Sequence, residues 1–138
     1  MANNYLQFSA ILKLNSIQER EWATRELELL PGDSYGDDGD DYPEDKPKMR
    51  CEHTIDQEGI WFRAGEYGEP EDVANFVQRF LKEFRYKTGW HMTWACTCSK
   101  LRVDEFTGGG VFVTARKQKW FIPYDLINKE VERLGKAR

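Results

Sequence analysis

Apolar and polar residues alternate one for one near the start of the chain, with Leu6, Phe8, Ala10, Leu12 and Leu14 on one side and Gln7, Ser9 and Lys13 on the other. A period of two marks a half-buried strand, since successive side chains leave opposite faces of a pleated chain. Ser16 with Glu19 three residues later makes a capping box, in which hydroxyl and carboxylate take up backbone N–H groups that a first helical turn leaves unpaired. A helix to about Leu30 follows, with Trp22, Ala23, Leu27, Leu29 and Leu30 expected on its buried side, and Pro31-Gly32 stops it. Cys51, His53 and Ile55 alternate with Glu52 and Thr54, Asp56-Gln57-Glu58-Gly59 turns the chain, and Ile60, Phe62 and Ala64 alternate again, which predicts a hairpin.

The period changes after Pro70. Val73, Phe76, Val77, Phe80, Leu81 and Phe84 fall at the spacing of one helical face, opened by a proline in the first turn with Glu71 and Asp72 beside it. Trp90, Met92, Trp94, Cys96 and Cys98 then share a strand face, Val111, Val113 and Ala115 share the next, and a glycine-rich link joins the two. A last helix is expected from Pro123 to Gly135. The order β-α-β-β-α-β-β-α predicts an α+β fold: a ferredoxin-like βαββαβ core extended by a further strand and a C-terminal helix. Numbered along the chain, the strands are expected in the order 5-4-1-3-2, with strands 1 and 3 central. Segments 5–29 and 60–84 share one strand–loop–helix form, in keeping with the pseudo-symmetry of such a core.

At 138 residues, 40% hydrophobic and 14% aromatic, the chain is expected to form one domain with one core. No apolar run approaches the roughly 20 residues of a membrane span, and Met-Ala-Asn-Asn lacks the basic and apolar regions of a signal peptide. Three cysteines are an odd number, which suits free thiols in a reducing, cytoplasmic setting.

Charge changes the picture more than composition does. The net charge is −4, yet residues 31–72 hold 14 acids against 4 bases, and residues 73–138 hold 6 acids against 13 bases. Segregation of this kind steers encounters with charged partners, and it also lets two parts of one fold attract each other. Residues 33–46 read as a flexible acidic loop, and Asp37, Asp38, Asp40, Asp41, Glu44 and Asp45 are the candidate contacts for a basic protein. The EF-hand pattern does not match, because placing Gly39 sixth puts Ser34 first and Gly36 third, where carboxylates are required.

Cys51, His53, Cys96 and Cys98 make up a Cys₃His set by type. The expected strand order holds the two pairs three strand spacings apart, roughly 14 Å, so no metal site is assigned. Lys100 and Arg102 beside Gly108, Gly109 and Gly110 are candidates for an anion or nucleotide cradle, although the glycines precede a strand instead of a helix. Arg116, Lys117 and Lys119 interleave with Trp120 and Phe121, the composition of a surface that contacts phosphates and stacks bases. His91 falls on the face opposite Trp90 and Trp94, and no nucleophile–base order is present, so no catalytic residue and no cofactor are assigned.

The run from Thr97 to Ala115, Thr-Cys-Ser-Lys-Leu-Arg-Val-Asp-Glu-Phe-Thr-Gly-Gly-Gly-Val-Phe-Val-Thr-Ala, resembles a family of uncharacterised bacterial and mobile-element, phage-like proteins. The likeness extends more weakly to Tyr5-Leu-Gln-Phe-Ser9 and to the helix around Phe76–Phe84, and Leu101 and Thr107 stand where the family pattern has proline and glycine. No activity attaches to that family, so the resemblance implies no site. It implies an accessory role in a phage or mobile element. The leading expectation is a non-enzymatic protein-binding module, such as an inhibitor of a host defence complex. The alternatives are a small nucleotide- or anion-binding domain or enzyme using Lys100, Arg102 and the glycine link, and a nucleic-acid-binding domain using the basic C-terminal half.

Overall fold

The alternating stretches become strands and the stretches of period near 3.6 become helices in the structure, a computed structural model that describes residues 3–30, 47–103 and 105–136. The elements are β1 (Asn4–Lys13), α1 (Ile17–Leu29), β2 (Glu52–Ile55), β3 (Gly59–Ala64), α2 (Pro70–Glu83), β4 (Trp90–Cys98), β5 (Thr107–Val113), β6 (Gln118–Phe121) and α3 (Pro123–Lys136). Among the described residues no helix is long and apolar enough to cross a membrane. The acidic stretch 33–46, with its six candidate contacts, lies outside them.

The sheet is not the five-strand 5-4-1-3-2 arrangement expected from sequence. Six strands form it, antiparallel throughout, in the order β2-β3-β1-β4-β5-β6. The difference lies in Gln118–Phe121, which turns back onto β5 as β6 and makes β1 and β4, not β1 and β3, the central pair. The turn is tight: Thr114 N–H donates to the Lys117 carbonyl at 2.8 Å, and Lys117 N–H donates back to Thr114 Oγ1 at 3.1 Å. β1 changes partner along its length, pairing with β4 from Asn4↔Cys98 to Gln7↔Ala95 and with β3 from Phe8↔Ala64 to Lys13↔Gly59.

One face of the sheet carries Phe8, Leu12, Ile60, Phe62, Met92, Val111 and Val113, all buried, and α1 and α2 close over it. Trp22 of α1 is the pivot, with its ring 5.5 Å from Phe76 and 5.9 Å from both Phe80 and Phe84. Phe76 in turn meets Phe62 edge-on at 5.8 Å. The capping box forms with a one-residue shift: Glu19 N–H donates to Ser16 Oγ, and Glu19 Oε1 accepts from Asn15 N–H at 2.8 Å instead of from Ser16. The second Glu19 oxygen accepts from Tyr86 O–H at 2.7 Å, so this buried carboxylate ties α1 to the segment after α2. Asp72, 5% exposed, accepts from the Arg50 backbone N–H and side chain at 2.9 Å, which fastens the chain entering β2 to the first turn of α2.

One expectation about a helix and one about a loop are corrected. Leu29 is exposed, because it sits at the final helical position of α1 with no described residue covering it. The glycines read as a link lie inside β5, where Gly108, Gly109 and Gly110 face Ala95, Trp94 and Thr93 of β4. The last helix also buries little: Tyr124, Leu126, Ile127, Val131 and Leu134 are 46–71% exposed.

Candidate functional site

The sheet face opposite α1 and α2 is assembled from the other parity of each strand. From β3 come Trp61 and Arg63, from β1 Ser9, Ile11 and Lys13, from β4 His91 and Thr93, from β5 Phe112, and from β6 Lys119 and Phe121. Trp61, Phe112 and Phe121 are 41%, 39% and 40% exposed, which is unusual for three large aromatics on one face unless something is meant to lie against them. They are also held in place. Trp61 Nε1–H donates to Ser9 Oγ at 2.8 Å across the β1–β3 ladder, and the Arg63 guanidinium lies 4.1 Å from the centre of the Trp61 ring. Lys119 lies with its ammonium 5.4 Å from the Phe121 ring. Each cation therefore rests on an aromatic plane, Lys119 with its ammonium exposed to water and Arg63 with its guanidinium also paired to Glu52, so the planes need not be ordered anew on binding.

The electrostatics of this face follow from where the carboxylates are absent. The strands β1, β3, β4, β5 and β6 contain no aspartate or glutamate, in a chain with 24 of them. The single acid in a strand is Glu52 on the edge strand β2, and Arg63 pairs with it at 3.4 Å. Acids are instead concentrated in the helical layer, with Glu19, Glu21, Glu26 and Glu28 in α1 and Glu71, Asp72 and Glu83 in α2. One of these carboxylates, Glu26, bridges the helices through Arg79 at 2.9 Å. The sheet face is thus cationic and aromatic, and the helical layer is acidic.

The residues singled out from sequence do not gather at one place. The run from Arg116 to Phe121 is divided by the pleat: Arg116 and Lys117 stand in the β5–β6 turn, Lys119 and Phe121 join the open face, and Trp120 points to the helical side, where it meets Trp94 at 5.5 Å. Lys100 and Arg102 are exposed in the β4–β5 connection, and the glycines expected to cradle an anion beside them are committed to strand ladders. β3 and β1 stand between β2, which carries His53 and follows directly on Cys51, and β4, which carries Cys96 and Cys98. Among the described residues no group of three or more His, Cys, Asp or Glu side chains is placed to hold a metal ion. Burial raises the Cys96 thiol above its usual value, and the buried Cys51 thiol contacts Met49 Sδ at 3.5 Å.

Trp61, Arg63, Phe112 and Lys13 are the residues that sequence reasoning passed over. Their signal is the complement of the core pattern: once Ile60, Phe62 and Ala64 are assigned inward, Trp61 and Arg63 must face outward. No protein-family model, no curated protein and no solved structure matches the chain.

Proposed function

We propose that the protein is a non-enzymatic binding module that takes single-stranded nucleic acid on the open face of its sheet. The observation that carries this reading is the coincidence, on one carboxylate-poor face, of Trp61, Phe112 and Phe121 with Arg63, Lys13 and Lys119. Bases of any kind stack on aromatic planes, and phosphates seek dispersed cations, so a flat face offering both at strand spacing fits an extended strand without needing a sequence code. The lone glycine positions of β5 on this face, Gly108 and Gly110, add no side chain that would lift a strand away from it. The order β2-β3-β1-β4, with α1 and α2 in the β1–β2 and β3–β4 connections, supports a ferredoxin-like core whose open sheet is its working surface.

The test is fluorescence anisotropy with labelled single-stranded DNA and RNA oligonucleotides of mixed sequence at low salt. Binding is expected, with a linear fall of log affinity against log salt. Trp61→Ala combined with Phe121→Ala should weaken it by about tenfold or more, since each stacked base is worth about 1–3 kcal/mol. Absence of binding at low salt, or binding indifferent to both substitutions, would overturn the reading.

A further inference from the structure

On the opposite side of the sheet a cleft of about 510 Å³ runs beside β6, lined by Leu6, Glu69, Pro70, Glu71, Trp94, Gln118, Trp120 and Ile122. Gln118 and Trp120 alternate along the edge strand and Ile122 follows just past its end, so the cleft runs along the strand. Among the described strands β6 pairs with β5 alone, which leaves its outer backbone groups open to a further strand. The cleft is floored by an edge-on indole pair, Trp94 and Trp120, at 5.5 Å and 60°. That pair is held from below, since Trp120 Nε1–H donates to Gln118 Oε1 at 3.2 Å and Gln118 Nε2–H donates to Asn75 Oδ1 at 2.8 Å and Gln78 Oε1 at 3.1 Å.

The charge of the cleft has one sign. Its lining contains two carboxylates, Glu69 and Glu71, and no lysine, arginine or histidine. The N-terminus of α2 opens into it and would by itself favour an anion, but Glu71, together with a Glu69 partly offset by the nearby Arg50 guanidinium, exceeds the roughly half charge of a helix end. The Glu71 carboxylate has no hydrogen-bond or ion-pair partner among the described residues, whereas Glu69 accepts from Tyr67 O–H. Indole faces beside carboxylates suit an organic cation, which gains from the ring quadrupole and from the negative rim together.

We infer that this cleft receives an arginine or lysine side chain from an extended basic segment of a protein partner, which adds to the sheet along the outer edge of β6. Strand addition supplies backbone hydrogen bonds, and every second side chain of the added strand falls on the helical side, over Trp94 and Trp120. The surface is separate from the open face, so one chain could hold a nucleic acid strand on one side and a basic protein on the other. The inference does not depend on nucleic acid binding.

The test uses a peptide of alternating arginine and threonine and its counterpart with citrulline, which keeps shape and loses charge. Both are titrated into the full chain and followed by the indole N–H and backbone amide NMR signals, with Trp94→Phe and Trp120→Phe assigning the indoles. The arginine peptide should shift the Trp94 and Trp120 indoles and the amides of Gln118–Phe121 together, and Glu71→Gln should weaken it at least threefold with only a small fall in melting temperature from the charge removed at the first turn of α2. The citrulline peptide should bind at least tenfold more weakly. Equal shifts from both peptides, shifts scattered over the acidic helices with none at β6, or no shift at all would each overturn the inference, and none of these outcomes bears on oligonucleotide binding at the open face.

Discussion

Gly109 lies directly against the indole of Trp94: a Cβ on Gly109 would stand 2.4 Å from Trp94 Cζ2 and 2.9 Å from Cε2. The missing side chain is therefore the space in which the tryptophan ring rests across the β4–β5 ladder. Gly109→Ala should displace the ring and cost about 1–3 kcal/mol, read as a lower melting temperature together with a shifted tryptophan emission maximum. An unchanged emission spectrum would mean that the ring does not occupy that space.

The same pair of residues shows which parts of the chain can be read directly. Glycines between two strands are ordinarily turn formers, so Gly108-Gly109-Gly110 reads as a link. Only knowledge that an indole lies against Gly109 explains why a glycine stands within the strand there. β6 escapes for a different reason: four residues offer two positions to each face, too few to establish a period. By contrast β1, β4 and α2 run for 10, 9 and 14 residues, and their periods repeat often enough to be legible. The candidate site is half legible. Lys119 belongs to an evident basic run, while Trp61 and Phe112 are revealed only by subtracting the core from the strands.

Asp72 and Arg50 form the pair that secures β2 to α2, with the carboxylate buried and the guanidinium hydrogen bond holding Arg50 well above its usual value. Asp72→Asn keeps the size of the side chain and removes the charge from both the ion pair and the first turn of the helix. A loss of about 1–3 kcal/mol is expected in chemical denaturation, the cost of leaving a buried donor set half satisfied. Loss of stability below 0.5 kcal/mol would show that the pair is exchanged for water at little cost.

Tyr86 makes the fold sensitive to alkali. Burial, together with the Glu19 carboxylate that accepts a hydrogen bond from its O–H, raises the phenol above its usual value of 10.0, against an opposing pull from the Asn15 amide. A group whose folded pKa is raised contributes stability that is complete below the unfolded pKa, about 10 for tyrosine, and is lost as pH climbs through the folded value. Melting temperature should thus be insensitive to this group up to about pH 9 and decline above it. Tyr86→Phe should lower stability at neutral pH by about 1 kcal/mol and flatten the alkaline decline.

The three thiols should separate by access. Cys51 is 4% exposed, while Cys96 and Cys98 are half-buried on β4. A disulfide reagent at neutral pH should label two thiols slowly in the folded protein and the third only on unfolding, with peptide mapping assigning the protected one to Cys51. Labelling of Cys51 at the rate of the other two would contradict its place in the core.

Val131 and Leu134 face water at 63% and 71% exposure, on a helix that contributes nothing to the buried cluster. Replacing both by lysine should leave the melting temperature within about 2 °C, since substitutions at such positions fall within about 0.5 kcal/mol. The doubly substituted protein should also bind less of an apolar dye. A fall larger than that would place α3 among the elements that hold the fold together.

The exchange of partners halfway along β1 has a consequence for the order in which the chain can assemble. Its C-terminal half waits for residues up to Ala64, and its N-terminal half waits for Cys98, 94 positions beyond Asn4. On a ribosome that delivers about 5–20 residues per second, the first strand to emerge stays without its sheet neighbours for several seconds. The hairpin of β2 and β3, whose turn is closed by the Glu58 and Gly59 N–H groups donating to Asp56 Oδ1, is ready to form long before the strand it must join has its second neighbour. A chain interrupted between Glu83 and Trp90 would therefore carry a β1 whose leading half has an open hydrogen-bonding edge, which only β4 closes.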